Sequence, residues 1–272
     1  MNLREMMDGY VEEGLTMALA ASRVCQDIVL KALSEGPLSR NVTIKGGVVM
    51  RSLTKNNRRA TSDIDLDFIH YSLDDASIRE FVSKLNCIDG VSIEMSGEIK
   101  ELKHQDYHGK SIEVVISDNY NNTVKSKIDI GVHKHLEIDQ EEYCFDICMD
   151  DEGATLLKNT VEQSFVEKLR SILKFGPNSR RYKDVYDMFY LKNVVNSERV
   201  LGLVELLILD DAGMYESSMK DVLRRLQDTF SDEKYLKRVS ESRQRWIDND
   251  INEIVSDILA FVGEISNLGG AT

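Results

Sequence analysis

A chain of 272 residues, 42% hydrophobic and 30% charged, is an ordinary globular mixture, long enough for one large domain or two modest lobes around a real core. With 34 basic against 47 acidic residues its formal net charge is −13, which excludes indiscriminate coating of nucleic acid by the whole surface. Cys25, Cys87, Cys144 and Cys148 make no disulfide framework or zinc site; the opening MNLREMMDGYVEEG is acidic where a secretory signal is basic, and no apolar run reaches a membrane span, so a cytoplasmic protein without a membrane partner is expected.

In chain order, residues 1–35 read as helix, with Leu15, Leu19, Ile28 and Val29 between charged neighbours and Gly36-Pro37 as the stop. From about 42 the period changes. NVTIK is strand-like, VVMRSLTK helical, DIDLDFI strictly alternating, DDASIREFVSKL helical and VSIEM strand-like, while IEVVIS and SKIDIGV predict a hairpin across DNYNN. After about 151 the pattern is nearly all helical, clearest where Ile251, Ile254, Val255, Ile258, Leu259 and Val262 mark one apolar face. The expectation is an α+β fold: residues 1–150 form an N-terminal helix plus a mixed α/β lobe, and residues 151–272 a helical lobe completing a cleft.

The basic residues are unevenly spread. Lys45, Arg51, Lys55, Arg58 and Arg59 fall between 45 and 62 with no acid among them; Lys168, Arg170, Lys174, Arg180, Arg181 and Lys183 do the same between 168 and 183. Such islands in an acidic chain fit a polyanion-binding surface, or equally two solvated faces.

In TSDIDLDFI, Asp63, Asp65 and Asp67 project from one face of a strand while Ile64, Leu66 and Phe68 project from the other. Carboxylates about 7 Å apart on one face repel, so the arrangement is costly unless a cation or basic side chains neutralise it, or the face is the solvated outer side of an edge strand. Hard oxygen ligands suit Mg²⁺ bridged to substrate phosphates. Glycosyltransferases and phosphatases also use D-x-D, so the segment alone leaves the reaction open. Lys45-Gly46-Gly47 closes one strand and opens a helix, aiming backbone N–H groups and the helix dipole at whatever fills the turn. The spacing is that of neither a P-loop nor a dinucleotide fingerprint. Asp129 in KIDI repeats the pattern of the first strand and offers the third acid that a polymerase-type site needs to hold two metal ions.

Together with a second block, Glu167-Lys168-Leu169 followed by Arg181-Tyr182-Lys183-Asp184-Val185-Tyr186-Asp187, these motifs resemble the AbiE/MenT-type nucleotidyltransferase toxins, a branch of the polymerase-β-like superfamily. That family runs from a Gly-Gly or Gly-Ser turn through a short helix to Arg-x-[Ser/Thr]-x-Asp-[Ile/Leu]-Asp, matched by Arg59-Ala60-Thr61-Ser62-Asp63-Ile64-Asp65, and then to a Glu-Lys-Leu helix, a basic residue and an Asp-x-x-Asp helix. The resemblance spans roughly residues 42–192 and implies a polymerase-β-like lobe followed by a helical lobe. It implies catalytic roles for Asp63, Asp65, Lys168 and Asp184, and Mg²⁺ on Asp63, Asp65 and Asp129. An NTP falls to Lys45, Gly46, Gly47, Thr61, Lys168 and Asp187, and the acceptor to Arg58, Arg59 and Arg181. It further implies an RNA acceptor, tRNA in particular, a cognate antitoxin encoded nearby and growth arrest when the toxin is unopposed. Gly47 stands where many relatives have serine, so backbone contacts replace a hydroxyl there.

From spacing alone, Lys168 lies between Phe165 and Ile172 at the edge of a buried helix face, and Asp184 and Asp187 share a face from which they can orient Lys168 or Arg181. His104-x-x-x-His108 lacks a third metal ligand, and His133 and His135 read as exposed strand-end residues. Two other classes stand beside the transferase: a D-x-D glycosyltransferase, which offers no role for the Lys168–Asp187 block, and a non-catalytic nucleotide- or partner-binding module.

Overall fold

The alternation of DIDLDFI is realised as strand β2 (Ile64–Phe68), whose Ile64, Leu66 and Phe68 are wholly buried. Removing such side chains from water stabilises the fold by about 1.5–3 kcal/mol each. The computed structural model describes residues 1–102, 109–135 and 137–268, and its chain divides into two compact units, Met1–Asn159 and Thr160–Thr272.

In the first unit β2 lies between β1 (Val42–Lys45), which runs antiparallel to it, and β5 (Thr123–Val132), which runs parallel. Beyond β5 come β4 (Lys110–Asp118) and β3 (Val91–Glu101); beyond β1 come β7 (Ala154–Lys158) and β6 (Glu141–Phe145). The result is a seven-stranded mixed sheet of order β3-β4-β5-β2-β1-β7-β6, an α+β architecture. The hairpin expected from IEVVIS and SKIDIGV is the antiparallel β4–β5 pair. The last strand carries the sheet past residue 151, where periodicity suggests helix; ATLLK is too short to show alternation and is fixed by pairing with β1 and β6.

The helix read over residues 1–35 is two: α1 (Leu3–Glu12) and α2 (Met17–Glu35). Gly14 adopts a left-handed φ of 97°, and the Thr16 side chain accepts from the Leu19 N–H to start the second helix. Apolar spacing continues through the break, which is why it conceals the turn. Val24, Cys25, Ile28 and Val29 of α2 are buried in the core beneath the sheet's apolar face, with Ile78 and Phe81 of α4 (Asp75–Lys84) and Val48 and Val49 of α3 (Gly46–Thr54). Asp118 ties α1 to the hairpin: it accepts from the Leu3 N–H at 2.9 Å, from the Tyr120 and Asn122 N–H groups at 2.9 and 2.8 Å, and from the Asn122 side chain at 2.9 Å. Desolvation works to raise the Asp118 pKa, but these donors outweigh it and bring the carboxyl down to about 2.

The second unit is helical. Thr160 caps α5 (Val161–Phe175) by accepting from the Gln163 N–H at 3.0 Å, and the helix buries Phe165, Val166, Leu169, Ile172 and Leu173. It is followed by α6 (Tyr182–Leu191), α7 (Ser197–Val204), a π-type turn over 205–209, α8 (Met219–Phe230), α9 (Glu233–Ser240) and α10 (Ile251–Leu268). The amphipathic stripe of α10 buries Ile254, Val255, Ile258 and Val262, and Phe261 meets Phe165 edge-on with ring centroids 5.4 Å apart.

Candidate active site

Register builds the first cluster. The parallel β2–β5 ladder sets Asp65 beside Asp129 and Asp67 beside Gly131, and antiparallel β1 sets Lys45 opposite Asp65. Extended by one residue, the β2–β5 register brings Asp63 alongside Lys127. Alternate residues share a face, so one face of the sheet carries Asp63, Asp65, Asp67 and Asp129 together with Lys45 and Lys127.

Two ammonium groups make this row of acids tolerable. Lys45 and Asp67, both buried, meet at 2.5 Å. Gly131 leaves the room, since a Cβ there would lie 2.1 Å from the Asp67 carboxylate. Lys127 Nζ lies 2.9 Å from Asp129 Oδ2 and 3.5 Å from Asp63 Oδ2. Burial raises the pKa of Asp65; Lys45 pulls it back, Asp129 and Asp63 push it up, and the carboxyl ends above its ordinary 3.8. Asp129 Oδ1 is buried without a hydrogen-bond partner.

An excess of carboxylates and an orphaned buried oxygen fit a hard divalent cation in donor type and charge. Among the described residues no three acids, imidazoles or thiols already converge on a cation position; between Asp63 and Asp129 stands the Lys127 ammonium.

The Gly46-Gly47 turn at the start of α3 serves this cluster directly. The Gly47 N–H points to Asp65 Oδ2 at 3.5 Å, a long contact. Gly46 has φ 63°, and a Cβ there would sit 2.3 Å from Asp65 Oδ2; one at Gly47 would sit 2.3 Å from Thr61 Oγ1. The glycines therefore admit the Asp65 and Thr61 side chains, a reason distinct from the approach of a phosphate. The loop that presents Asp63 is held by buried groups: Gln26 Nε2 donates to the Thr61 carbonyl at 2.9 Å, and the Ser126 hydroxyl donates to the Ser62 carbonyl at 2.8 Å. Arg51 in turn donates to Gln26 Oε1 at 2.6 Å.

A second cluster lies within the helical unit. Lys168 of α5 reaches Asp184 Oδ1 at 3.2 Å and Asp187 Oδ2 at 2.8 Å, both on α6. The Trp246 indole N–H donates to Asp187 Oδ1 at 3.1 Å, and Asp187 is wholly buried. Asp184 Oδ2 is a further buried oxygen without a hydrogen-bond partner. The Tyr186 hydroxyl donates to the Val239 carbonyl at 2.8 Å and anchors α6.

Sequence reasoning passed over Lys127, Gln26, Ser126 and Trp246, and it placed Arg51 in a basic island whereas its side chain is only 10% exposed and donates to Gln26. The one signal for Gln26 was a polar residue inside the apolar run of α2. Arg58 and Arg181 are exposed, but Arg59 is only 3% exposed, so the two arginines of that pair have different surroundings. His133 corrects the expectation of an exposed strand end: it is buried, its N–H donates to the Phe68 carbonyl at 2.9 Å, and its Nε2 has no hydrogen-bond partner. His104 and His108 lie outside the described residues. Among the described residues, no helix is long and apolar enough to cross a membrane.

The family model described as "Nucleotidyl transferase AbiEii toxin, Type IV TA system" matches residues 28–259, a span that includes both charged clusters. No curated protein matches the chain. Among solved structures, an antigenic nucleotidyltransferase-like protein from Paracoccidioides brasiliensis superposes with a TM-score of 0.47 at 13% identity, covering 79% of this chain and 92% of that one.

Proposed function

The chain belongs to the AbiEii nucleotidyl transferase toxins of type IV toxin–antitoxin systems, and from that premise we propose that it transfers a nucleotide from an NTP to an RNA acceptor, tRNA in particular. The observation that carries this reading is the register of β2 against β5, which gathers Asp63, Asp65 and Asp129 onto one sheet face with a buried carboxylate oxygen unpartnered.

In the proposed reaction an acceptor hydroxyl attacks the α-phosphorus. A new P–O bond forms, the bond to the β-phosphate oxygen breaks, pyrophosphate leaves, and the hydroxyl proton passes to a carboxylate of the sheet face. Mg²⁺ held by Asp63, Asp65 and Asp129 would neutralise phosphate charge and lower the proton affinity of the attacking hydroxyl. The protein's own groups supply position. Gln26 and Ser126 fix the loop that carries Thr61 and Asp63, and the N-terminus of α3 turns the Gly47 N–H toward Asp65. Lys45, Gly46, Gly47 and Thr61 are assigned to the NTP. Lys168 is assigned to the α-phosphate and the departing pyrophosphate, where a fixed cation stabilises charge that develops during transfer; Asp184 and Asp187 orient its ammonium. Arg58 and Arg181, exposed in the two basic islands, are assigned to the acceptor backbone, and Arg59, buried in the same turn as Arg58, to the same surface. The working compartment is the cytoplasm, where an antitoxin opposes the growth arrest that transfer causes.

The test incubates the protein with Mg²⁺, total RNA and each α-phosphate-labelled NTP in turn. Label is expected on RNA of tRNA size with one preferred NTP, and Asp63→Ala and Asp65→Ala are each expected to lower the transfer rate by about 10²–10³ or more while leaving the circular dichroism spectrum unchanged. Asp67→Ala removes the buried ion-pair partner of Lys45, so its effect reports on Lys45 as well as on the acids. Labelling that Asp63→Ala leaves intact would overturn the assignment, and label on no RNA species would overturn the reaction.

A further inference from the structure

The side chain of Lys127 stands where nothing in the reaction calls for a cation of its own. It occupies β5 two residues before Asp129, and its ammonium bridges Asp129 Oδ2 at 2.9 Å and Asp63 Oδ2 at 3.5 Å. Two charges cannot balance the face: Asp63, Asp65, Asp67 and Asp129 stand against Lys127 and Lys45, and Lys45 is ion-paired with Asp67 and lies opposite Asp65. The ammonium also leaves Asp129 Oδ1 buried and unpartnered. Nor is it locked in place, since the Lys127 side chain is 40% exposed while that of Asp129 is 12% exposed. A long exposed stem ending on two acids can swing into water at small cost.

We infer that Lys127 is an internal counter-ion that competes with the divalent cation for Asp63 and Asp129, so that the cluster exchanges an ammonium for a metal ion when it is loaded. A divalent cation held by Asp63 and Asp129 would lie beside the Lys127 ammonium that bridges the same two acids, so repulsion between like charges sets the two cations against each other there. With the ammonium in place the acids hold their positions without metal; with the ammonium displaced they are released to the ion. Lys127 is thus a positioning residue that sets the metal affinity of the site and does not itself touch substrate.

The inference rests on the metal-binding reading of the three aspartates, and the experiment separates the two. Mn²⁺ alone is titrated into the full chain, without NTP or RNA, and free Mn²⁺ is followed by its electron paramagnetic resonance signal for wild type, Lys127→Met, Lys127→Gln and Asp129→Asn. Wild type is expected to bind, Asp129→Asn to lose binding, and both Lys127 variants to bind roughly 10- to 100-fold more tightly, since each removes a competing charge. The shorter, polar Gln variant removes the same charge without the apolar stem of Met and so guards against a packing effect of Met, and circular dichroism confirms that both are folded. If wild type binds and neither variant binds more tightly, the counter-ion role is overturned while the metal site stands. If no protein binds Mn²⁺, the metal reading falls and the inference with it.

Discussion

Lys127 in the sheet and Lys168 in the helical unit are chemically alike: each ammonium lies within 3.5 Å of two aspartates. Their settings differ. The Lys127 side chain is 40% exposed and one of its acids, Asp63, 42% exposed; the Lys168 side chain is 11% exposed, its acids 12% and 0% exposed, and an indole N–H completes the set. An ion pair in water is a weak and replaceable contact, whereas a buried one punishes the loss of either partner. The first arrangement suits a cluster that must exchange one cation for another, and the second suits a cation kept in one orientation.

The sharpest way to break this comparison is to delete the same charge twice. Lys168→Met is expected to cost about 3–5 kcal/mol of unfolding free energy, because two buried carboxylates lose their cation; Lys127→Met should cost about 1 kcal/mol or less. Urea unfolding of the two variants measures both, and equal losses would erase the distinction. Asparagine at Asp187 in the Lys168→Met background should recover part of the loss. For the part that remains folded, single-turnover transfer by Lys168→Met should be slower by about 10²–10³ with a much smaller change in NTP affinity.

A carboxylate held by N–H donors refines the contrast. Among the described residues Asp118 is gripped by N–H groups, and its folded pKa is depressed from 3.8 to about 2. A depressed carboxylate favours the folded state above its unfolded value, and the benefit is lost as pH falls through the window from 3.8 to about 2. Asp118→Asn should therefore lower stability at neutral pH by about 1–2 kcal/mol and flatten the acid limb of the melting-temperature profile. Parallel profiles for variant and wild type below pH 4 would show that those donors do not depend on the charge.

The smallest expected effect on stability is at Arg58. Its exposure predicts a change within about 0.5 kcal/mol for Arg58→Ala, but the slope of log affinity for duplex RNA against log salt should become shallower by about 0.9 if the side chain contacts one phosphate. Arg59→Ala, buried in the same turn, should destabilise the fold. An unchanged salt slope in Arg58→Ala would remove this island from the acceptor surface.

Much of the arrangement is legible in particular residues. Strict alternation in DIDLDFI fixes which side of β2 carries the acids, and KIDI repeats the device. Nothing in either segment states that β2 and β5 run side by side in parallel, though some 60 residues separate them; that register alone converts two acidic strands into one cluster. Lys127 escaped notice because a lysine before an apolar residue is the commonest solvent-facing choice, and its importance arises from Asp63 on the neighbouring strand. Trp246 lies 59 positions from Asp187, beyond any local pattern. Charge counting grouped Arg58 with Arg59, but a single 3-10 turn sends one outward and the other inward. Strands β6 and β7 stayed hidden for a related reason: short segments take strand form from their partners more than from their own composition.

Trp246 is the chain's single tryptophan, and it is buried with its N–H on Asp187. The emission of the protein under tryptophan excitation therefore comes from one indole, whose excited state senses the carboxylate beside it. Any event that shifts Asp187, such as a change at Lys168, is expected to alter that spectrum without a label, so the helical unit carries its own optical gauge of the ion cluster.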